Sequence, residues 1–233
     1  MARPYLLCFG LSADPVHWGH WGVLEGAVRC LRGKGYQLHK VLLRPVLRRQ
    51  AIGDKAFSDT PFEHRLKMCG LLAEELSDHL ALGVEVSELE RHLYQRTQNP
   101  NSSAETLSTL AQEYPQHPIV FVLGSDHVSG EQPPFEKWRQ QERLLSLGEL
   151  LVYRRKGFPW NEGYIDSLRA RGVIVHCCEG DVAKVSSREL RQESAQKLAR
   201  QVPESIYRYI RGQGLYLNEG CRSHALGCSA RRG

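Results

Sequence analysis

At 233 residues, 41% hydrophobic and 24% charged, the chain has an ordinary globular composition, with room for one domain or one domain plus an appendage. No apolar run approaches the roughly 20 residues that span a bilayer, and Met1-Ala2-Arg3-Pro4 leads into a strand without a signal-peptide layout, so a cytoplasmic protein is expected. A net charge of +5 on dispersed arginines, with no RNA-binding aromatic motif, argues for small phosphate ligands rather than nucleic acid or membrane.

Tyr5–Phe9 reads as a buried strand, and Trp21–Leu31 as an amphipathic helix. Between them, Phe9–His20 forms a glycine-containing turn into a helix start. Free backbone N–H groups and the helix dipole make such a turn an anion site. His17 and His20 share a face there, whether as phosphate contacts, simple caps or half of a metal site. No GxxxxGK[ST] lysine follows, so this is not a P-loop. Lys40–Pro45 is a second strand ended by its proline, and 46–59 reads as a long surface loop. Thr60-Pro61-Phe62-Glu63 opens a helix reaching about Leu76, followed by a strand at Gly83–Val86. Ser102-x-x-Glu105 caps a helix running to Tyr114, and Ile119–Leu123 is the strongest strand, continuous as in a parallel sheet covered on both faces. A helix over Phe135–Leu145, a strand at Leu150–Tyr153, a helix near Glu162–Arg171 and a strand at Val173–Val175 come next. Helices at Ser186–Arg200 and Pro203–Arg211 complete the ordered part, and residues 217–233 read as a flexible tail.

The alternation predicts a doubly wound, mostly parallel α/β sheet, with ligands outside the carboxyl ends of its strands. The seven cysteines include no C-x2-C pair, so no structural metal site is expected, and reduced thiols fit best.

Gly10-x-Ser12-x-Asp14-Pro15-Val16-His17-x-Gly19-His20 resembles the first signature of the HxGH nucleotidyltransferases, and Val185-Ser186-Ser187-Arg188-Glu189-Leu190-Arg191 resembles their second, usually written ISSTxIR. Between and after them fall Glu63-His64-Arg65, Glu105-Thr106-Leu107, Gly124-Ser125-Asp126, Trp138, Arg155-x-Gly157 and Val202-Pro203-Glu204 through Gly214-Leu215-Tyr216. Their order and approximate spacing are similar to those of bacterial-type nicotinate mononucleotide adenylyltransferases, over about residues 5–216. Leu11 stands where the pattern has its second glycine, Ala13 at its phenylalanine, Trp18 at its asparagine and Arg188 at its threonine. Arg48, Arg49 and Lys55 replace a Pro-Pro-His-Lys loop. Leu11 narrows backbone freedom where glycine would allow a positive φ.

The resemblance implies a Rossmann-like nucleotidyltransferase domain over 1–216 and adenylyl transfer from ATP to nicotinate mononucleotide, with nicotinamide mononucleotide as another acceptor. Deamido-NAD and pyrophosphate would form in NAD biosynthesis, with Mg²⁺ accompanying ATP. Homo-oligomerisation is left open. The attacking phosphate is already ionised, so positioning and charge neutralisation carry the reaction. By resemblance His17 and His20 contact phosphate, His20 at the α-phosphate, and Arg191 suits the leaving pyrophosphate. Gly10, Ser12, Ser186, Ser187, Arg155 and Lys55 complete the ATP side, and Ser103, Asp126 and Trp138 form the mononucleotide side. Each also has a plainer reading: Ser186-x-x-Glu189 as a capping box, Trp138 as a core aromatic, Asp126 as a turn former, Arg154-Arg155-Lys156 as a solvated face. Two other functions compete: transfer to another phosphate acceptor such as phosphopantetheine, and a non-catalytic nucleotide-binding regulator, which the altered positions 11, 13, 18 and 188 motivate.

Overall fold

A computed structural model describes residues 3–47, 60–180, 182–183 and 185–216. Six strands form one all-parallel sheet: β1 (Tyr5–Leu11), β2 (Leu38–Pro45), β3 (Val84–Val86), β4 (Ile119–Gly124), β5 (Gly148–Tyr153) and β6 (Val175–Cys178). Their order, β3-β2-β1-β4-β5-β6, reverses direction between β1 and β4. That reversal opens a crevice at the carboxyl ends of the two strands, where doubly wound sheets bind ligands.

Alternate residues of each strand enter two separate cores. Leu7, Phe9 and Leu11 of β1 pack with α1 (Trp18–Gly33), α2 (Phe62–Leu80) and α9 (Glu204–Gly212). Leu6 and Cys8 face the other layer, built from α3 (Leu89–Thr97), α4 (Ser103–Glu113), α5 (Gln141–Leu145) and α6 (Glu162–Ala170). Burial on both faces explains the unbroken apolar run of β4, whose first five residues are all buried. Among the described residues no helix is long and apolar enough to cross a membrane.

Several elements differ from the sequence reading. The segment 89–97 is a helix that polar spacing conceals, because Glu90 is buried beside Leu89 and Leu93. The helix expected over 135–145 divides into a 3₁₀ turn at Pro134–Lys137 and α5. That expected over 186–200 divides into α7 (Ser187–Leu190) and α8 (Ala195–Gln201), with Ser194 capping the second by accepting from Lys197 N. The last strand begins at Val175 rather than Val173. The expectation of reduced thiols holds for Cys8, Cys69 and Cys177 but not for Cys30 and Cys178. Those two meet where α1 crosses the end of β6, with Cα atoms 6.3 Å apart, and form a disulfide. Most of the 46–59 loop, with Arg48, Arg49 and Lys55, and the 217–233 tail lie outside the described residues.

Candidate active site

β1 delivers the chain to the crevice, and the turn Ser12–Val16 carries it into α1. Leu11 is an ordinary strand residue. The left-handed conformation falls instead on Ala13, at φ 55°, fully buried. The exchange at position 11 therefore removes a freedom the turn does not use, since the positive φ lies two residues on.

His17 is the N-cap of α1. Its Nδ1 accepts from Gly19 N at 3.1 Å, while Nδ1 of His20 accepts from His17 N at 3.2 Å, completing a capping box made of two imidazoles. The rings stack with centroids 3.8 Å apart. Because each Nδ1 must offer a lone pair, each neutral ring carries its proton on Nε2, leaving that N–H as a donor. Desolvation, then the neighbouring His20 and Arg155, hold His17 well below its ordinary value of 6.5. Desolvation and then Arg155 push His20 down to about 3. The capping and phosphate readings are thus compatible: one nitrogen of each ring holds the helix and the other is available to a ligand.

A consequence for stability follows. Both folded values lie below the unfolded value, so the unfolded chain takes up protons first as pH falls. The stability these rings contribute is fully present above pH 6.5 and is drawn down from there toward about 3. Thermal melting from pH 7.5 to 4.5 should show this decline, and His20→Gln should make it shallower. An unchanged slope in that variant would remove His20 as a source.

The second signature closes on the first. Arg191 Nη1 donates to Asp14 O at 2.8 Å and lies 3.0 Å from Asp14 Oδ2, while Ser187 Oγ donates to Pro15 O at 3.0 Å. Tyr216 OH donates to Asp14 Oδ1 at 2.7 Å. Asp14 is fully buried, so this clasp surrounds a carboxylate withdrawn from water. Ser186 makes no side-chain capping bond, so its expected capping box does not form. Arg188 is exposed, and Trp18 sits at the helix start, packed edge-on against Trp21. Neither exchange disturbs the histidines.

Arg155 Nη1 pairs with Asp126 Oδ2 at 2.9 Å, so the Arg154–Lys156 run is more than a solvated face. Asp126 Oδ1 is buried without a hydrogen-bond partner among the described residues. It folds back to where a Cβ on Gly124 would come within 2.4 Å, a space only glycine leaves open. Ser12 Oγ is likewise buried and unpartnered. Trp138 packs edge-on against Phe121, His127 and Phe135, and is half-buried against the second core. Ser103 begins α4 and accepts from Arg44 Nη2 at 3.1 Å.

Asp14, Tyr216 and Arg65 have structural roles that no local sequence pattern assigns to them. The Arg65 guanidinium donates to the carbonyls of Ser12, Val46 and Leu47 at 3.0, 2.6 and 3.0 Å, tying the turn after β1 to the chain leaving β2. Its position inside the Glu63-His64-Arg65 match was the available signal. Lys55 lies outside the described residues.

No family model matches the chain. It is 29% identical over 209 residues to a chain from Anaeromyxobacter sp. strain K named probable nicotinate-nucleotide adenylyltransferase, covering 89% of this chain and 94% of that one. A protein of the same name from Bacteroides thetaiotaomicron is 31% identical over 158 residues, covering 65% of this chain and 68% of the relative. The chain belongs to the nicotinate-nucleotide adenylyltransferase family. Its fold is shared with Plasmodium falciparum nicotinic acid mononucleotide adenylyltransferase complexed with NaAD, at a TM-score of 0.69 and 18% identity over 91% of this chain and 97% of the other.

Proposed function

We propose that the chain transfers the adenylyl group of ATP to nicotinate mononucleotide. A phosphate oxygen of the mononucleotide attacks the α-phosphorus of ATP, the bond to the β-phosphate oxygen breaks, and deamido-NAD and pyrophosphate leave. The observation that carries this reading is the clasp of the two signatures, Arg191 on Asp14 and Ser187 on Pro15, which fixes the stacked His17–His20 pair at a helix N-terminus.

Two Nε2–H donors at the positive end of a helix, with Arg155 near enough to depress both imidazoles, suit a polyphosphate. No general base is needed for an ionised acceptor, so the residues act by positioning and by meeting charge on the α-phosphate. Ser186 adds a hydroxyl not spent on capping, and Gly10 and Ser12 complete the turn. Ser187 and Arg191 act through the clasp. On the acceptor side, the unpartnered Asp126 Oδ1 suits a ribose hydroxyl, and Trp138 and Ser103 suit the pyridine nucleotide.

No trio of His, Cys, Asp or Glu among the described residues could hold a metal. A Mg²⁺ accompanying ATP would be held by the nucleotide's own phosphate oxygens and waters. The ion would supply neutralisation of phosphate charge.

The test is an assay of purified chain with ATP, Mg²⁺ and each mononucleotide in turn, following dinucleotide and pyrophosphate together. Higher kcat/KM with nicotinate mononucleotide is expected. Pyrophosphate release with neither acceptor, together with tight ATP binding, would instead establish a non-catalytic regulator.

A further inference from the structure

We propose that Arg44 is a positioning residue for the acceptor substrate, acting through the Ser103 hydroxyl; this rests on the reading of Ser103 as a mononucleotide contact. Arg44 is the penultimate residue of β2 and shares a face with Leu42, which packs into the second core. An apolar side chain would be expected there, yet Arg44 is buried, 3% exposed, and its guanidinium lies over the Phe121 ring at 5.7 Å. Room for it is made at the first signature, where a Cβ on Gly10 would come within 2.6 Å of Nη2.

Its partners converge on the start of α4. Arg44 Nη1 pairs with Glu90, also 3% exposed, and Glu90 Oε1 accepts from Thr106 Oγ1 at 3.2 Å. Asn101 Nδ2 donates to Glu90 O at 2.8 Å, fixing the approach to the helix. Arg44 Nη2 then donates to Ser103 Oγ. Arg44 Nε is buried with no acceptor among the described residues. A buried ion pair with one donor unsatisfied is a poor device for stability. What it does achieve is directional. A hydroxyl whose oxygen already accepts from a guanidinium has its own proton turned outward, polarised, at the N-terminal end of an 11-residue helix. That is a donor prepared for an anionic group of the acceptor.

Arg44→Lys is the decisive variant, because an ammonium can meet Glu90 but cannot span Glu90 and Ser103 together. The KM for nicotinate mononucleotide should rise about tenfold, with the KM for ATP unchanged. Ser103→Ala should match it, and the double variant should be no worse than either single one. Additive losses, an equal rise in the KM for ATP, or no change in either would overturn the proposal. The paired exchange Arg44→Leu with Glu90→Leu removes both charges and keeps the Thr106 bond to Ser102 O. It should melt no lower than wild type and still show the raised mononucleotide KM; a normal KM there would mean that Arg44 serves folding alone. A wild-type chain that forms no dinucleotide would overturn the assigned reaction itself, a result distinct from each of these.

Discussion

His20→Ala is expected to lower kcat by about 10²–10³-fold while the KM for either substrate moves only slightly, because a preorganised donor to a developing oxyanion is lost. The ring is stacked on His17 and accepts from His17 N through Nδ1, so in the proposed contact with the α-phosphate its Nε2–H needs no reorganisation as charge shifts. An interaction made equally with bound ATP would instead appear in KM. The substitution also removes half of the capping box, at a cost of about 1 kcal/mol. Melting curves separate the two effects: a small fall in Tm alongside a large fall in kcat assigns the loss to chemistry. Equal losses in kcat/KM and in ATP binding would place the contact in the ground state.

Arg191→Ala should be the most destabilising single change in the site. Asp14 is fully buried, and its carboxylate has Arg191 on one oxygen and Tyr216 on the other. Removing the guanidinium leaves a buried charge with one donor, a loss of about 3 kcal/mol. In a chain of this size that corresponds to roughly 2–4 °C in Tm per kcal/mol. Activity should fall with it, since the same side chain holds the Asp14 carbonyl within the first signature. Arg191→Ala with Asp14→Asn should recover part of the stability by removing the stranded charge. The competing role, a contact to departing pyrophosphate, predicts a different result: unchanged melting and a raised KM for ATP. Denaturant midpoints and kinetics on the same preparations decide between them.

The sheet and the two signatures were legible in the sequence because continuous apolar strands, a capping box at Ser102 and a glycine turn each carry local signals. What stayed hidden depends on long-range partners. Helix α3 was missed because Glu90 reads as a solvent residue until Arg44, 46 positions away, is seen against it. The break between α7 and α8 was marked only by Ser194, a weak cap. The narrowed backbone freedom at Leu11 has no consequence for the turn, because the positive φ falls where the chain bends, at Ala13. Ser186 has the capping-box spacing without the bond. The motif match suggests a phosphate role for Arg191 but carries no sign of the buried Asp14 carboxylate beside it, a partner 177 positions away.

Tyr216 gives the site an order of assembly. Its hydroxyl reaches Asp14 across 202 positions of sequence, and Arg191 reaches the same residue across 177. On a ribosome the first signature emerges early and β1 can begin pairing, but both clasping partners are made near the end of the described chain. The carboxylate of Asp14 must remain in water until then, since burying it without its donors would be costly. A nascent chain arrested before residue 191 should therefore hold the first strands and helices yet bind no nucleotide, and competence should arrive late and abruptly, with the last two helices.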